Sequence, residues 1–313
     1  MTKLEAMIGR AESVVILGHV NPDGDCVGSC LAVYNYIKEQ YGREAEVCLD
    51  GAAGKFSYLA GFESIKNRPE ENNADLCICL DCSDKERLGE LKVCLDRAKE
   101  SICIDHHVTN QGYAMENVID ADASSTCQVL FTQMEEEKIS KGVAECLYTG
   151  IIHDTGVFRY SNTSRKTMEI AGKLMEKGID FSTIIDDSFY RKTYLQSQIL
   201  GRALFESVSF LDKKCIFTVV RKKDMEFYGV DKSDLDGIVD QLRIIEGVEC
   251  AIFLYEVGVH MYKVSMRSNK KVDVSEIAAY FGGGGHIRAA GCTMSGSFHD
   301  VINNLSGHIE KQL

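Results

Sequence analysis

Aspartate and histidine side chains concentrate in four stretches of the first half of the chain. The first stretch, GHVNPDGDCVGS at 18–29, holds His19, Asp23 and Asp25 within seven residues. Its proline and glycines favour a tight turn that would bring these three side chains together. The same stretch also fits an ordinary strand-to-helix turn in which Asp25 caps the helix. The loop alone therefore leaves both a chemical and a structural interpretation open.

The other three stretches lie at or near the ends of apolar runs. Asp81 follows LCICL, the triplet Asp105, His106 and His107 follows SICI, and Asp154 lies in IIHDTGVFRY. If the apolar runs are strands of a parallel sheet, their following loops lie along one edge, where open α/β sheets bind ligands. Carboxylates crowded at that edge would repel one another unless cations offset their charge. We therefore expect a bound metal.

The donor types narrow the choice of metal. Carboxylate and imidazole groups, with no thiolate among them, suit Mn²⁺ or Mg²⁺ better than structural zinc. The donors suffice for two ions bridged by one aspartate, an arrangement that activates water for attack on phosphorus. Cys79 and Cys82 form a C-x-x-C pair, but it lies on an expected buried strand and has no second pair. We interpret those two cysteines as structural.

The elements that would position these residues alternate between strands and helices. Strands are predicted at 13–20, 45–50, 75–81 and 101–105, and helices at 27–40, 135–156 and 164–177. Strands that are apolar on both faces are typical of a covered parallel sheet. The fold class predicted for this half is therefore α/β, with a doubly wound and mainly parallel sheet.

The second half has a different pattern. Residues 186–205 have helical spacing, and beyond them alternating strands are predicted at 208–222, 248–257 and 260–268. Helices are predicted near 233–245, at 274–281 and at the C-terminus. The predicted organisation is a domain at 1–185, a helical connector at 186–205 and a smaller α+β domain at 206–313.

Charge and cysteine content limit the function further. The net charge is −12, and residues 1–185 hold 30 acidic against 19 basic side chains. This excess disfavours long nucleic acids, which need a basic surface, but it suits a site for divalent cations. Thirteen cysteines, an odd number mostly in apolar runs, favour reduced thiols. No apolar run approaches a membrane span, and we expect a cytoplasmic protein.

A glycine-rich stretch, FGGGGHIRAAG at 281–291, is the main feature of the second half. Four successive glycines let the backbone approach a phosphate closely and point several N–H groups at it. His286 and Arg288 follow directly, which favours a substrate site over a merely flexible loop.

In this order, the four acidic stretches resemble the DHH phosphoesterase superfamily, which is named for the triplet at 105–107. The glycine-rich stretch resembles the DHHA1 signature of the same superfamily. The stretch HDTGVFRYSNT and the two-domain layout look most similar to the nanoRNase and pAp-phosphatase group. The resemblance spans nearly the whole chain.

The resemblance implies roles for individual residues. His19 and Asp23 would hold one Mn²⁺; Asp25, His106 and Asp154 would hold the other; and Asp81 would bridge the two ions. Mg²⁺ or another divalent cation could take the same places. His107 would face the substrate phosphate, and Asp105 would orient the neighbouring histidines. The residues expected to contact substrate are Arg267, Ser268, Gly284, Gly285, His286, Arg288 and, with a weaker claim, Arg159.

The resemblance also implies a reaction and its substrates. A metal-activated water would cleave short oligoribonucleotides, including pApA, to nucleoside monophosphates, or 3′-phosphoadenosine 5′-phosphate (pAp) to AMP. The active site would lie in the cleft between the two domains. Long duplexes and membranes are not expected partners, and a homodimer is left open. The remaining alternatives are a phosphodiesterase for linear or cyclic dinucleotides of the cyclic di-AMP pathway, a manganese pyrophosphatase and a catalytically silent nucleotide-binding protein.

Overall fold

The computed structural model describes residues 2–70 and 73–313, apart from the side chain of His286. The chain divides into two compact units, Met1–Arg191 and Lys192–Leu313. All thirteen cysteines are buried free thiols. Within the described ranges, no helix is long and apolar enough to cross a membrane.

The first unit is built on a six-stranded sheet in which neighbouring strands are parallel. The strands are β1 (Val14–Leu17), β2 (Glu46–Cys48), β3 (Ile65–Lys66), β4 (Leu76–Leu80), β5 (Glu100–Asp105) and β6 (Glu116–Ile119). Their order across the sheet is β3-β2-β1-β4-β5-β6. The chain therefore winds outward in one direction from β1 and in the other from β4, which confirms the doubly wound fold.

Helices cover both faces of this sheet. They are α1 (Lys3–Arg10), α2 (Gly24–Tyr41), α3 (Lys92–Arg97), α4 (Thr126–Phe131), α5 (Lys141–Asp154), α6 (Arg165–Glu176) and α7 (Phe181–Ile185). Ile16 and Ile78 of the central strands pack in one core cluster with residues of α2 and α5. Cys77 and Cys79 face the other way and pack in a second cluster with residues of α3. Alternate residues of each strand are thus buried on opposite faces, as the continuous apolar runs predict.

Three details of the first unit differ from the sequence prediction. Helix α2 begins at Gly24, three residues earlier than predicted, because Asp23 rather than Asp25 provides the N-cap. The helical pattern at 135–156 is divided into a 3₁₀ turn at Glu136–Lys138 and α5, whose N-cap is Ser140. Strands β3 and β6 and helices α1, α3, α4 and α7 are additions that the sequence patterns do not predict.

The second unit is smaller and mixed, which confirms the predicted α+β class. Its strands are β7 (Val208–Phe210), β8 (Cys215–Val220), β9 (Cys250–Gly258), β10 (Met261–Ser268), β11 (Gly284–His286) and β12 (Ala289–Ser295). They are ordered β11-β12-β10-β9-β8-β7, and only the pair β8 and β9 is parallel within this sheet of described residues. Its helices are α8 (Tyr194–Phe205), α9 (Lys222–Tyr228), α10 (Ile238–Arg243), α11 (Val274–Tyr280) and α12 (Phe298–Glu310).

The glycine-rich stretch forms an edge strand. Strand β11 pairs antiparallel with β12. A Cβ on Gly283 would lie 2.2 Å from the carbonyl oxygen of Gly291, and one on Gly285 would lie 2.5 Å from that of Ala289. Gly285 also has a φ of +146°, which side chains disfavour. Gly283 and Gly285 are therefore required by close backbone packing at this edge, whereas a Cβ on Gly284 would meet no atom within 4 Å.

Candidate metal centre

The predicted ligands converge where the winding of the first sheet reverses. Strands β1, β4 and β5 are neighbours there, and their carboxyl ends lead into the loops that carry His19, Asp81 and the triplet at 105–107. Asp25 comes from the first turn of α2, and Asp154 is the last residue of α5. Side chains from five separate elements thus reach one edge of the sheet.

Asp81 lies at the centre of this group and is almost fully buried. Its Oδ2 is 3.6 Å from Nε2 of His19, and its Oδ1 is 3.7 Å from Nε2 of His106. The hydroxyl of Thr126 donates a hydrogen bond of 3.1 Å to Oδ1. Asp81 also has a left-handed backbone, with a φ of +53°. Aspartate tolerates this conformation better than most residues, and such outliers cluster at functional sites.

His19 is held by its own backbone neighbour. Its Nδ1 lies 3.0 Å from the carbonyl oxygen of Val20, which assigns the proton to Nδ1 and leaves Nε2 as a donor of electrons. Nε2 is 3.8 Å from Oδ2 of Asp23. Burial opposes the charged form of His19, but the carboxylates of Asp23 and Asp81 outweigh it and raise the pKa of the imidazole far above its usual value.

Asp23 shapes the loop between β1 and α2. Its Oδ1 accepts hydrogen bonds of 3.1 Å from the backbone N–H groups of Asp25 and Cys26, which caps α2. Oδ2 is left to face His19. Burial would raise the pKa of Asp23, but the nearby imidazole of His19 outweighs it and the pKa is lowered.

The second half of the group is centred on His106. Its Nε2 is 3.1 Å from Oδ2 of Asp154 and 4.0 Å from Oδ2 of Asp25. Its Nδ1 is 3.4 Å from the carbonyl oxygen of Ala123, so Nε2 again faces the carboxylates. Burial lowers the pKa of His106, but Asp154 and Asp25 outweigh it and raise the pKa to about 10.

Asp25 belongs to α2, and its side chain is fully buried against the first residues of α4. Its Oδ2 accepts from the N–H of Thr126 at 2.6 Å, and its Oδ1 accepts from the N–H of Cys127 at 3.0 Å. Gly150 of α5 leaves room for this carboxylate, because a Cβ there would lie 2.5 Å from Oδ1. The backbone of α4 and the missing side chain at residue 150 together fix the position of Asp25.

The electrostatics of these carboxylates fit divalent cations. Burial and the neighbouring charges of Asp81 and Asp154 raise the pKa of Asp25 well above its usual value. Burial and Asp81 also raise the pKa of Asp154, to about 6, although His106 opposes this. Oxygen and imidazole donors held at contact distance, with raised carboxyl pKa values, form a set that a positive ion would stabilise. The residues present therefore suit a divalent metal.

Asp105 contacts His107, the second histidine of the triplet. Its Oδ1 is 2.7 Å from Nδ1 of His107, and its Oδ2 accepts a hydrogen bond of 2.7 Å from the side-chain amide of Asn110. Burial would raise the pKa of Asp105, but His107 and Asn110 outweigh it and lower the pKa. Burial likewise opposes ionisation of His107, but Asp105 raises the pKa of the imidazole. Asn110 was not foreseen from the sequence, which shows it only as a polar loop residue.

Among the residues that the structure describes, three sets of His, Cys and Asp side chains have donor atoms within 4.8 Å of one another. They are Asp25, His106 and Asp154; Asp81, His106 and His107; and His19, Cys26 and Asp81. Cys26 is the member that sequence reasoning missed, because cysteines were interpreted as core residues. Its position directly after Asp25 is the signal that could have indicated it.

Two of the predicted substrate residues of the second unit already have protein partners. Nε of Arg267, near the end of β10, is 3.4 Å from Oδ1 of Asp240. The guanidinium of Arg288 donates to the carbonyl oxygens of Val272, at 2.9 Å, and Lys270. Arg288 therefore ties the turn after β11 to the segment that precedes α11.

The other predicted substrate residues vary in exposure. Ser268 is buried, and its hydroxyl is 3.4 Å from the carbonyl oxygen of Ile287. Gly284 and Gly285 are exposed on β11, while the side chain of His286 lies outside the described part of the chain. Arg159 is exposed and follows three residues with left-handed backbone at 156–158.

Comparisons with known proteins agree with this architecture. Residues 13–151 match the DHH family, N-terminal domain, and residues 212–313 match the DHHA1 domain. A crystal structure of an exopolyphosphatase-related protein from Bacteroides fragilis superposes with a TM-score of 0.92 at 27% identity, covering 98% of this chain and 94% of that one.

Curated relatives extend over most of the chain. The bifunctional oligoribonuclease and PAP phosphatase NrnA of Bacillus subtilis is 26% identical over 298 residues, which cover 94% of this chain and 93% of the relative. The protein of the same name from Thermus thermophilus is 30% identical over 301 residues, which cover 90% and 84%. Both domains and their motifs are present in the expected order. The chain thus belongs to the DHH–DHHA1 family of metal-dependent phosphoesterases.

Proposed function

We propose that this phosphoesterase acts on short RNA and on nucleotide bisphosphates. Its substrates would be oligoribonucleotides of a few nucleotides, including pApA, which it would convert to nucleoside monophosphates, and pAp, which it would convert to AMP. The names of the two curated relatives support this substrate class. The acidity of the first half supports short rather than long nucleic acids, because it offers no broad basic surface.

The position of Asp81 is the observation that carries the proposal. Its two carboxylate oxygens face different histidines, His19 on one side and His106 on the other. A carboxylate placed in this way can bind two cations at once, one through each oxygen. Each histidine has a further carboxylate near its Nε2, Asp23 at 3.8 Å from His19 and Asp154 at 3.1 Å from His106, so each cation would have donors besides Asp81.

We assign one cation to His19, Asp23 and Asp81, and the other to Asp25, His106, Asp154 and Asp81. Mn²⁺ is the expected ion, since the donors that the sequence indicates are oxygen and nitrogen. Bound cations in such a pair supply a nucleophile from water and stabilise negative charge on phosphoryl oxygens. The protein contributes the fixed positions of these donors, above all the two N–H groups of α4 that hold Asp25.

His107 is our candidate for a catalytic side chain. Its Nδ1 is held by Asp105, so its Nε2 is the ring atom left to contact a substrate. In the doubly protonated ring, which the raised pKa of His107 favours, the proton on Nε2 would bond to a phosphoryl oxygen and stabilise the charge that develops there. Asp105 is a positioning residue, since it acts through His107.

Residues of the second unit would bind the rest of the substrate. Strand β11 lies at the edge of its sheet, so part of its backbone N–H groups point away from β12 and suit phosphate oxygens. Arg267, on the strand next to β12, would add a cation for the same phosphate.

A substrate panel tests the proposal. Purified protein with Mn²⁺ is given pAp, pApA, a five-nucleotide RNA, a long single strand and pyrophosphate, and initial rates of product release are compared. We expect pAp and the short RNAs to be cleaved much faster than the long strand and pyrophosphate. Preference for pyrophosphate, or nucleotide binding without turnover, would refute the proposed function.

Two variants show whether the activity belongs to this site. Asp81→Asn keeps the shape of the side chain and tolerates the left-handed backbone, but it removes the shared charge. It should lower turnover by about 10²-fold or more and reduce the bound metal. Asp84→Asn changes an exposed cap in the same loop and should leave both unchanged. Activity of Asp81→Asn within about tenfold of wild type would contradict the assignment.

A further inference from the structure

Cys26 brings a sulfur atom into the predicted metal centre. It follows Asp25 in the first turn of α2, and its side chain is fully buried. Its sulfur, a ring nitrogen of His19 and a carboxylate oxygen of Asp81 lie within 4.8 Å of one another. The sequence predicts only oxygen and nitrogen donors on the His19 side of the centre. The structure adds a sulfur atom to this group of donors.

The space for this sulfur is provided by Gly18. A Cβ on Gly18 would lie 2.3 Å from Sγ of Cys26 and 2.7 Å from a methyl carbon of Leu49. Gly18 directly precedes His19 at the end of β1, so the missing side chain lets the thiol lie against the backbone that carries the histidine. The backbone of Cys26 is fixed from the other side, since its N–H donates to Asp23.

The neighbouring imidazole is oriented toward the same place. His19 is almost fully buried, and its Nδ1 is occupied by the carbonyl oxygen of Val20. The carboxylate oxygens nearest its Nε2 are 3.6 and 3.8 Å away, longer than a hydrogen bond. Donors that share one cation at about 2.0–2.3 Å stand roughly 3–4.5 Å apart. The spacing of His19 from Asp23 and Asp81 thus suits a common cation better than direct hydrogen bonds, and the sulfur of Cys26 lies within 4.8 Å of the same imidazole and of Asp81.

Other cysteines near the centre lack this arrangement. Cys30 lies one turn further along α2, and Cys127 lies under Asp25, with its thiol 3.8 Å from the carbonyl oxygen of that residue. In the described part of the chain, Cys26 is the cysteine that shares a three-donor group with an imidazole and a carboxylate.

We propose that the thiolate of Cys26 joins His19, Asp23 and Asp81 as a metal ligand, so that this half of the centre selects a softer cation than Mn²⁺, such as Zn²⁺, Co²⁺ or Fe²⁺. The inference rests on the two-cation centre of the proposed function and changes the metal expected in one half of it. On binding, the thiol S–H bond breaks, the sulfur–metal bond forms and the proton passes to solvent. Nitrogen, oxygen and sulfur donors already favour Zn²⁺ over Mn²⁺, and thiolate increases that difference.

Cobalt binding provides the test, because Co²⁺ reports its ligands by absorption. The full-length protein, freed of metal, is titrated with Co²⁺ as wild type, Cys26→Ser, Cys26→Ala and Cys30→Ala, with circular dichroism as the check on folding. We expect a near-ultraviolet sulfur-to-cobalt charge-transfer band in wild type and in Cys30→Ala. The band should be absent from both Cys26 variants, which should still bind cobalt and show its visible ligand-field bands.

The possible failures can be told apart. Ligand-field bands in wild type without a charge-transfer band would overturn the role of Cys26 and leave the metal centre of the proposed function standing. A charge-transfer band that Cys30→Ala removes and Cys26→Ala keeps would assign the sulfur to Cys30 and overturn the proposal as well. Failure of wild type to bind either cobalt or manganese would refute the centre itself.

Metal competition gives a second, independent readout. The ratio of Zn²⁺ affinity to Mn²⁺ affinity, measured by equilibrium dialysis with metal analysis, should fall by about tenfold or more in Cys26→Ser. The ratio should be unchanged in Cys30→Ala. An equal ratio in wild type and Cys26→Ser would mean that Cys26 packs as a small apolar residue, and the proposal would be wrong.

Discussion

Oδ1 of Asp105 lies 2.7 Å from Nδ1 of His107, and the carboxylate is completely buried. Asn110 donates to the other oxygen, so Asp105 is fixed on both sides. A buried carboxylate in this position selects one tautomer of the imidazole and holds the plane of the ring. The relationship predicts that Asp105 matters to the reaction without itself binding metal.

Asp105→Asn should therefore reduce kcat rather than metal content. Loss of the anion removes the preference for a proton on Nδ1, and we expect a decrease in kcat of about 10²-fold or more. Steady-state kinetics and metal analysis of the same samples provide the measurement. Asn110→Ala keeps the contact between Asp105 and His107 and should reduce kcat less, although it also removes the hydrogen bonds of Asn110 with the carbonyl oxygen of Cys82 and the N–H of Gly112. A parallel loss of metal in Asp105→Asn would show that it acts as a ligand instead.

Gly150 should be required for the position of Asp25. In Gly150→Ala, the new Cβ would lie 2.5 Å from Oδ1 of Asp25 and 2.3 Å from Sγ of Cys127. We expect weaker metal binding and a free energy of unfolding lower by roughly 1–3 kcal/mol, from crowding. Calorimetry and metal titration measure the two effects.

Gly172→Ala is the matched control for this substitution. Gly172 lies in α6, and a Cβ there would meet no atom within 4 Å. Alanine should stabilise that helix by up to about 1 kcal/mol, because glycine has the poorer helix propensity. If both variants behave alike, the close approach at residue 150 does not position Asp25.

Glu249 should make the stability of the second unit depend on pH in the acid range. Its Oε1 accepts from the backbone N–H groups of Lys270 and Val272, at 2.9 and 3.0 Å, and also from that of Lys271. Burial would raise the pKa of Glu249, but these hydrogen bonds outweigh it and lower the pKa below its ordinary value of 4.5. The charged carboxylate thus stabilises the fold above pH 4.5, and this contribution is lost as the pH falls through the lowered pKa.

Glu249→Gln should accordingly be less stable than wild type at pH 7, by about 1 kcal/mol. The difference should shrink as the pH falls below 4.5. Urea unfolding at a series of pH values measures it. Glu246→Gln, at an exposed position in the preceding turn, should match wild type throughout. A difference that persists unchanged in acid would contradict the role of the charge.

Substitutions of Arg267 and Arg288 in the second unit should affect different properties, substrate binding in one case and stability in the other. Arg267→Ala should raise KM about tenfold or more and leave metal content and stability intact, since Arg267 is our phosphate contact. Arg288→Ala should instead lower the free energy of unfolding by about 1–3 kcal/mol, because two backbone carbonyls lose their charged donor. Substrate kinetics and thermal unfolding of both variants distinguish these roles. Loss of metal from Arg267→Ala would refute the assignment.

Much of the fold follows from the sequence because its central strands are apolar on both faces. The runs that became β1, β4 and β5 are buried throughout their middle residues, and each leads within two residues to a side chain of the candidate centre. By contrast, β6 is half-buried at the edge of the sheet and has no continuous apolar run. Its pairing with β5 gives it order that its own residues do not indicate.

The finer geometry of the centre depends on contacts between distant segments. The sequence predicts Asp25 as a metal ligand and leaves a helix cap open as the alternative, but it does not show that the carboxylate meets the N–H groups of α4, a six-residue helix without an evident pattern. The sequence does not indicate Cys26 as a ligand either, since a buried thiol in a helix is usually a core residue. The contacts of both side chains depend on how α2, α4 and α5 pack together, which the sequence patterns do not specify.

The strand order of the first unit links the centre to the completion of folding. Its donors span residues 19 to 154, and they meet only when β1 has paired with β4, and β4 with β5. These pairings join segments far apart in the sequence, so the entropic cost of closing the intervening chain comes before the donors meet. A partly folded chain would hold only fragments of the donor set. A cation would then bind the fully paired sheet and stabilise the folded state alone. The concentration of metal in the cell would therefore influence the lifetime of the folded protein.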